Sequence, residues 1–343
     1  MSLATRSAFM NTLVLLTASF VVSVILTGLL RTVTNHKKML DKPVARSSHS
    51  RPTPVGGGLS VVLLVFAASA YSFLTGQLSE SVFFSLFGAY AIAWIGLVDD
   101  LKNVHALWRI PLHFGAASWS LFWLGEIPAL DFGFFTILDQ TILLPLALVA
   151  LVWLTNLFNF MDGIDGLAGA ELIFVTGFSL LAGINGLDMG GAMLLTVACA
   201  SASGFLIWNW QPARIFMGDV GSGFAGFFVG LMALITVQAG VMTYWTWLIL
   251  LAIFAIDATM TLCRRFLNGE RWFEGHNTHA YQHASRKFQS HSKVTIATIL
   301  INLCWLTPLA VASVLYPSLG GFFSLIAAAP LAMLALGFGA GRH

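Results

Sequence analysis

The sequence is short of charge. Only 9% of its 343 residues are Asp, Glu, Lys or Arg, against 57% hydrophobic, and the mean hydropathy is +0.83. That leaves too little polar surface to cover a soluble globule, so the chain reads as an integral membrane protein. Cysteine is scarce too. Cys199, Cys263 and Cys304 lie far apart in apolar or helix-end settings, which indicates neither a disulfide framework nor a zinc site. No RNA- or DNA-binding motif accompanies the basic residues, so anionic lipid headgroups or phosphorylated substrates are the better partners for them than nucleic acid. The first apolar run also lacks a small-residue cleavage site. It is too long for a signal peptide, ends in Arg31, Lys37 and Lys38, and is expected to be retained.

What is abundant is apolar sequence near the bilayer length of ~20 residues. Eleven spans are read: 9–30, 58–76, 82–98, 110–125, 141–159, 168–185, 190–208, 223–240, 243–262, 294–315 and 319–338. The expected fold is an all-α polytopic membrane protein in a single domain. With the N-terminus outside and the C-terminus in the cytoplasm, all of the seventeen Lys and Arg except Arg6 fall on the cytoplasmic side, Lys38, Arg46, Arg109, Arg271 and Arg286 among them. This is a strong positive-inside bias.

The same topology gathers the unusual polar clusters on that face. Asp99 and Asp100 end the third span. Asn156, Asn159, Asp162 and Asp165, in N-L-F-N-F-M-D-G-I-D-G, end the fifth and lead into the sixth. F-M-G-D-V-G-S-G, with Asp219, leads into the eighth, and the last loop holds E-G-H-N-T-H-A-Y-Q-H with His276, His279 and His283. The cytoplasmic loops near 31–57, 99–109, 160–167, 209–222 and 263–293 are therefore the expected active-site loops.

Each cluster has a plain alternative. Asp162, Asp165 and Asp219 precede helices, and N-capping accounts for any one of them. Asp99 and Asp100 are harder to dismiss, because a helix C-terminus disfavours negative charge and a cation should offset them. Oxygen-rich donors with amides alongside suit Mg²⁺, or Mn²⁺, better than zinc. G-S-G-F-A-G, residues 221–226, matches a dinucleotide fingerprint but follows no βα unit, so that reading is rejected. Its exposed N–H groups are expected instead to receive an anion such as a diphosphate. Gly226 and Gly230 are read as a site of close helix packing rather than a dimer seam. No motif reports an oligomeric state, and a homodimer stays open.

In order and spacing, D-D (99–100), N-L-F-N-F-M-D-G-I-D-G-L (156–167), R-I-F-M-G-D-V-G-S (214–222) and the histidine-bearing last loop resemble the polyprenyl-phosphate N-acetylhexosamine-1-phosphate transferases. The resemblance covers nearly the whole chain, and the sequence looks most like the bacterial branch that starts O-antigen or other surface-polysaccharide synthesis. The lack of consecutive histidines points away from the muramyl-pentapeptide branch. The last loop reads His276-Asn277-Thr278-His279, which departs from the H-x-H-H form and leaves the role of His276 open.

The resemblance implies transfer of a sugar 1-phosphate from a UDP-N-acetylhexosamine to undecaprenyl phosphate, with release of UMP, at the cytoplasmic face of a bacterial inner membrane and with the N-terminus in the periplasm. Asp219 and the Asn159/Asp162 region would hold Mg²⁺, and Asp99 and Asp100 would face the reacting phosphates. Asp165 and Asn156 would help build the nucleotide-sugar site, Arg109 would meet phosphate, and His279, with His276, would bind the donor. A secondary transporter is the alternative class. Transport sites lie near the bilayer midplane, whereas these carboxylates sit at one edge. Asp257 is the exception, seven residues before Arg264 and roughly 10 Å deeper at helical rise.

Overall fold

A computed structural model of the protein describes residues 3–37, 39–43, 51–102, 104, 106–183, 186–270 and 276–342. Lys38, Arg46 and Arg271, used above to orient the chain, and Glu274 and Gly275 of the last loop lie outside the described residues. The chain runs through α1 (Leu3–His36), α2 (Leu59–Leu74), α3 (Glu80–Lys102), α4 (Ala106–Leu124), α5 (Gln140–Met161), α6 (Leu167–Ala182) and α7 (Met189–Asn209). It continues as α8 (Asp219–Gln238), α9 (Tyr244–Leu250), α10 (Ala252–Leu267), α11 (Ala280–Phe288), α12 (His291–Ile301), α13 (Thr307–Leu315) and α14 (Gly320–Gly337). Among the described residues strands are confined to two antiparallel ladders of two residues per strand, Leu40–Asp41 with Thr53–Pro54 and Leu130–Asp131 with Thr136–Ile137. The all-α expectation holds.

Every expected span falls on helix, but the count of eleven is not reproduced by length and apolarity alone. Among the described residues seven helices are long and apolar enough to cross a membrane, or eight when α9 and α10 are taken as one broken span. Helices α2 and α6 are apolar but only 16 residues each, short of the ~20 that span a bilayer. The ninth expected span, 243–262, is not one rod: α9 and α10 meet at an angle of 78°. No Gly or Pro occurs between residues 244 and 267, so the bend comes from tertiary anchoring. Trp247 Nε1 donates to Thr236 Oγ1 at 2.8 Å, and the Thr246 and Ser313 hydroxyls lie 2.9 Å apart.

Helix α8 is the centre of the bundle. Its side chains from Val220 to Thr236 are all buried, as expected of a helix apolar on every face. It lies between α3 and α5, and glycine sets how close they come. A Cβ on Gly96 would stand 2.3 Å from the Asp219 carbonyl oxygen, and one on Gly226 would stand 2.1 Å from that of Leu154. Gly226 and Gly230 thus face α5, the packing role read from the sequence. On the periphery α1 packs along α7, tied by small polar groups: Ser23 Oγ donates to the Ser201 carbonyl at 2.6 Å and Trp208 Nε1 to that of Val24 at 2.9 Å.

Candidate active site

Helices α3 and α5 end, and α4 and α8 begin, at the same end of the bundle. This convergence brings together residues that are up to 120 positions apart in the chain. Arg109 lies in the first turns of α4, not on a loop as the sequence suggested. Its Nη1 donates to Asp99 Oδ2 and to Asp219 Oδ2. Asn159, near the end of α5, donates through Nδ2 to Asp219 Oδ1 at 2.7 Å and to Ser222 Oγ at 3.1 Å. Asp99 also accepts from the Val104 amide at 2.5 Å. The cation that the acidic end of α3 called for is therefore, for Asp99, an arginine ten residues further on.

Asp100 is offset differently. Its two oxygens accept from the Asp219 amide at 2.9 Å and the Val220 amide at 3.2 Å, the first two N–H groups of α8. A carboxylate from α3 thereby caps the positive end of α8. Gly218 makes this possible: it has φ of 76°, and a Cβ there would stand 2.6 Å from Asp100 Oδ2. Two readings are corrected. The anion at the start of G-D-V-G-S-G is the protein's own Asp100, because the next amides, of Gly221 and Ser222, bond to the Gly218 carbonyl. Nor do Asp162, Asp165 or Asp219 serve as side-chain N-caps. Asp162 closes the C-terminus of α5, Gly166 precedes α6 without a side-chain cap, and Asp219 is already the first residue of α8.

A second polar group lies beside the first, across the C-terminal end of α5. His279 precedes α11 and is 2% exposed, its ring against those of His276 (centroids 4.8 Å apart), Tyr281 (5.6 Å) and Phe160 (6.2 Å). Asp257 Oδ1 lies 3.3 Å from His279 Nδ1 and accepts from the Ala280 amide at 2.9 Å, while Oδ2 accepts from the Tyr281 amide at 2.9 Å. The intramembrane carboxylate that suggested transport is consumed in capping α11 and orienting a histidine. His276 Nδ1 is 3.0 Å from Thr278 Oγ1. Tyr281 Oη donates to the Phe160 carbonyl at 2.9 Å, and Gly163 leaves the room, since a Cβ would stand 2.1 Å from that hydroxyl. His283 instead lies 3.1 Å from the Arg342 carbonyl oxygen, at the C-terminal segment.

Asp162 joins the two groups electrostatically. Burial, and then the charges of Asp219, Asp100 and Asp165, push its carboxyl well above the usual range. Asp165 belongs to the scaffold around them. Its Oδ2 accepts from the Ala213 amide at 3.0 Å, its Oδ1 is 3.2 Å from His291 Nδ1, and its carbonyl accepts from Thr295 Oγ1 at 3.0 Å. Among the described residues no three His, Cys, Asp or Glu side chains form a ready metal cage. Magnesium rarely uses one: it takes one or two carboxylates and completes its shell with water and substrate phosphate. Asp99 and Asp219, which already share a cationic group, fit that donor set.

Beside the cluster a cleft is lined by Arg109, His113, Asn156, Asn159 and Asp219, with Ile92, Thr155 and Gly223 among its remaining walls. Asn156 lines it while its Nδ2 donates back to the Val152 carbonyl at 2.7 Å. His113 was missed in the sequence, although an ionisable residue inside the fourth apolar span is signal enough. The capping role of Asp257 was equally invisible, because its partners lie on another helix.

Residues 82–237 match the family described as glycosyl transferase family 4. The chain is 28% identical over 300 residues to a probable undecaprenyl-phosphate N-acetylglucosaminyl 1-phosphate transferase of Bacillus subtilis, covering 82% of this chain and 81% of that one. It is 30% identical over 330 residues to a decaprenyl-phosphate N-acetylglucosaminephosphotransferase of Mycobacterium leprae, covering 84% and 80%. A phospho-N-acetylmuramoyl-pentapeptide-transferase of Moorella thermoacetica is 31% identical over 208 residues, covering 54% and 61%. The residue pattern, the helical membrane fold and these relatives together place the chain in the polyprenyl-phosphate hexosamine-1-phosphate transferase family, as an enzyme that transfers a sugar phosphate to a polyprenyl phosphate.

Proposed function

We propose that this enzyme moves an N-acetylhexosamine 1-phosphate from a UDP-sugar to undecaprenyl phosphate, releases UMP, and thereby starts a lipid-linked glycan of the O-antigen type. The observation that carries the reading is the convergence of Asp99, Asp219, Asn159 and Arg109 at the mouth of the cleft between α3, α4, α5 and α8. Such a site serves two anions, one on a water-soluble nucleotide and one on a lipid. The positive-inside bias of the basic loops supports a cytoplasmic position for this end, at a bacterial inner membrane, with the N-terminus in the periplasm.

Mg²⁺, or Mn²⁺, would be held by Asp219 and Asn159 with Asp99. When bound it would supply charge neutralisation for the donor diphosphate and the departing UMP. The protein's own groups do the remaining work. Arg109, released from one carboxylate, meets phosphate oxygens. Asp99 orients the acceptor, while Asp100 holds the start of α8 and so fixes Asp219. His279, with Nδ1 directed at Asp257, presents Nε2 to the donor beside His276 and Asp162. A phosphate monoester has its second pKa near ~6 and is already mostly a dianion at neutral pH, so direct in-line attack needs no enzyme nucleophile.

Purified protein given UDP-N-acetylglucosamine, undecaprenyl phosphate and Mg²⁺ is expected to release UMP and to form a lipid-linked sugar diphosphate. A panel of UDP-N-acetylhexosamines and UDP-N-acetylmuramyl-pentapeptide then fixes the donor. Preference for the muramyl donor, the activity named for the Moorella relative, would replace the O-antigen assignment. No UMP from any donor would overturn the proposal.

A further inference from the structure

Two polar atoms in the cleft are left over by the carboxylate cluster. Among the described residues Arg109 Nε and His113 Nδ1 are both buried without a hydrogen-bond partner. They lie four residues apart on α4, hence on one face, and both residues line the cleft. His113 is only 7% exposed. A buried polar group without a partner costs about 1–3 kcal/mol, so a wall carrying two such atoms is built for an occupant that accepts hydrogen bonds. The carboxylates nearby cannot fill that role for both, since Arg109 already reaches Asp99 and Asp219 through Nη1.

We infer that this face of α4 seats the phosphate of the polyprenyl acceptor and that His113 is the residue that reads it. The inference rests on the transfer proposed above and assigns one of its two anions to a place. The walls favour the lipid. Beside the polar lining of Thr155, Asn156, Asn159 and Asp219, the cleft is bounded by Ile92, Ile95, Gly96 and Gly223, surfaces that suit the first isoprenoid carbons. Depth points the same way. One helical turn carries His113 roughly 6 Å beyond Arg109 along α4, into the bundle and away from the start of the helix. With its proton on Nδ1, the imidazole donates to a phosphate oxygen while Arg109 Nε–H donates to the same group.

The test is steady-state kinetics of the purified full-length protein, with each substrate varied at saturating levels of the other. His113→Leu is expected to raise KM for undecaprenyl phosphate about tenfold, the cost of one hydrogen bond to a charged group, and to leave KM for the donor unchanged. His113→Gln, which keeps an N–H donor, recovers most of the loss. A binding arm needs no turnover: farnesyl phosphate should protect the wild type from thermal unfolding more than farnesol does, and His113→Leu should erase the difference. Unchanged acceptor KM in His113→Leu, a rise in donor KM instead, or equal impairment of the Leu and Gln variants would overturn the assignment. Wild-type protein that transfers nothing to undecaprenyl phosphate would instead sink the proposed function, and the farnesyl phosphate comparison would then judge the seat by itself. If His113→Leu does not fold, His113→Ala takes its place with the same two readouts: an unchanged acceptor KM, or a donor KM that rises as much as the acceptor KM, refutes the seat.

Discussion

Asp100 and Asp257 make the same contact in two different surroundings. Each is a carboxylate on a membrane helix, α3 or α10, that accepts from two successive amides at the start of another helix, α8 or α11. Around Asp100 the neighbours are acidic, with Asp99 and Asp219 sharing the Arg109 guanidinium. Around Asp257 they are a buried histidine and the hydroxyl of Thr261, 3.1 Å from Oδ1. A helix start thus satisfies a carboxylate equally well in either place, and what separates the two regions is the charge left over. The acidic group has an excess that suits metal and phosphate. The histidine group has a single carboxylate, occupied by the α11 amides, Thr261 and His279, and offers one ring nitrogen.

The largest effect should come from that excess. Asp219→Asn removes a charge shared with Arg109 and Asn159 while leaving the α8 amides on Asp100, and transfer should fall by about a hundredfold or more with an unchanged melting profile. Near-normal turnover of this variant at low Mg²⁺ would show that the acidic region has no use for its charge. Asp100→Asn is milder, because the amide carbonyl still accepts from α8. Transfer should drop by less than about tenfold, together with about 1–3 kcal/mol of stability for the amide left unpaired. A loss as deep as that of Asp219→Asn, at wild-type stability, would make Asp100 a participant in the chemistry and break the likeness to Asp257.

Asp257→Asn tests the other half. It keeps one acceptor for α11, so a shift of the melting temperature and a rise in donor KM are expected, with kcat reduced by only about two- to threefold, the scale of a hydrogen bond weakened rather than lost. Abolished kcat in a folded variant would mean that its charge works through His279. Smallest of all should be Glu171→Gln. Glu171 is a buried carboxyl with no helix start to cap. Its Oε2 accepts from Asn302 Nδ2 at 2.7 Å, and its Oε1, like Asn302 Oδ1, has no partner among the described residues. Glutamine keeps the acceptor and adds the missing N–H, so thermal unfolding should move by less than about 1 kcal/mol. A destabilisation as large as that of Asp257→Asn would refute this.

Much of the molecule was legible one segment at a time. The apolar runs located the helices because bilayer length and lack of charge are local properties, and D-D, N-x-x-N-x-x-D and M-G-D-V-G-S marked the ends that converge. The 78° break between α9 and α10 was not legible. No Gly or Pro announces it, and its anchors, Thr236 and Ser313, lie on other helices. His113 was legible and overlooked. Asp165 matched its motif as well as Asp162 did, yet it holds the loop at Ala213 and the start of α12.

The sequence by itself determined the solvent, the helices, the gathering of carboxylates and histidines in the loops at one edge, and the family. Each of these depends on composition or on residues within a few turns of one another. Tertiary structure decided which carboxylate serves which partner. Asp219 was read as a cap of its own helix, and that cap is Asp100, 119 residues earlier. The choice is a matter of approach: Gly96 and Gly218 let α3 come within backbone contact of α8, so the nearest positive helix end lies across the bundle rather than along the chain.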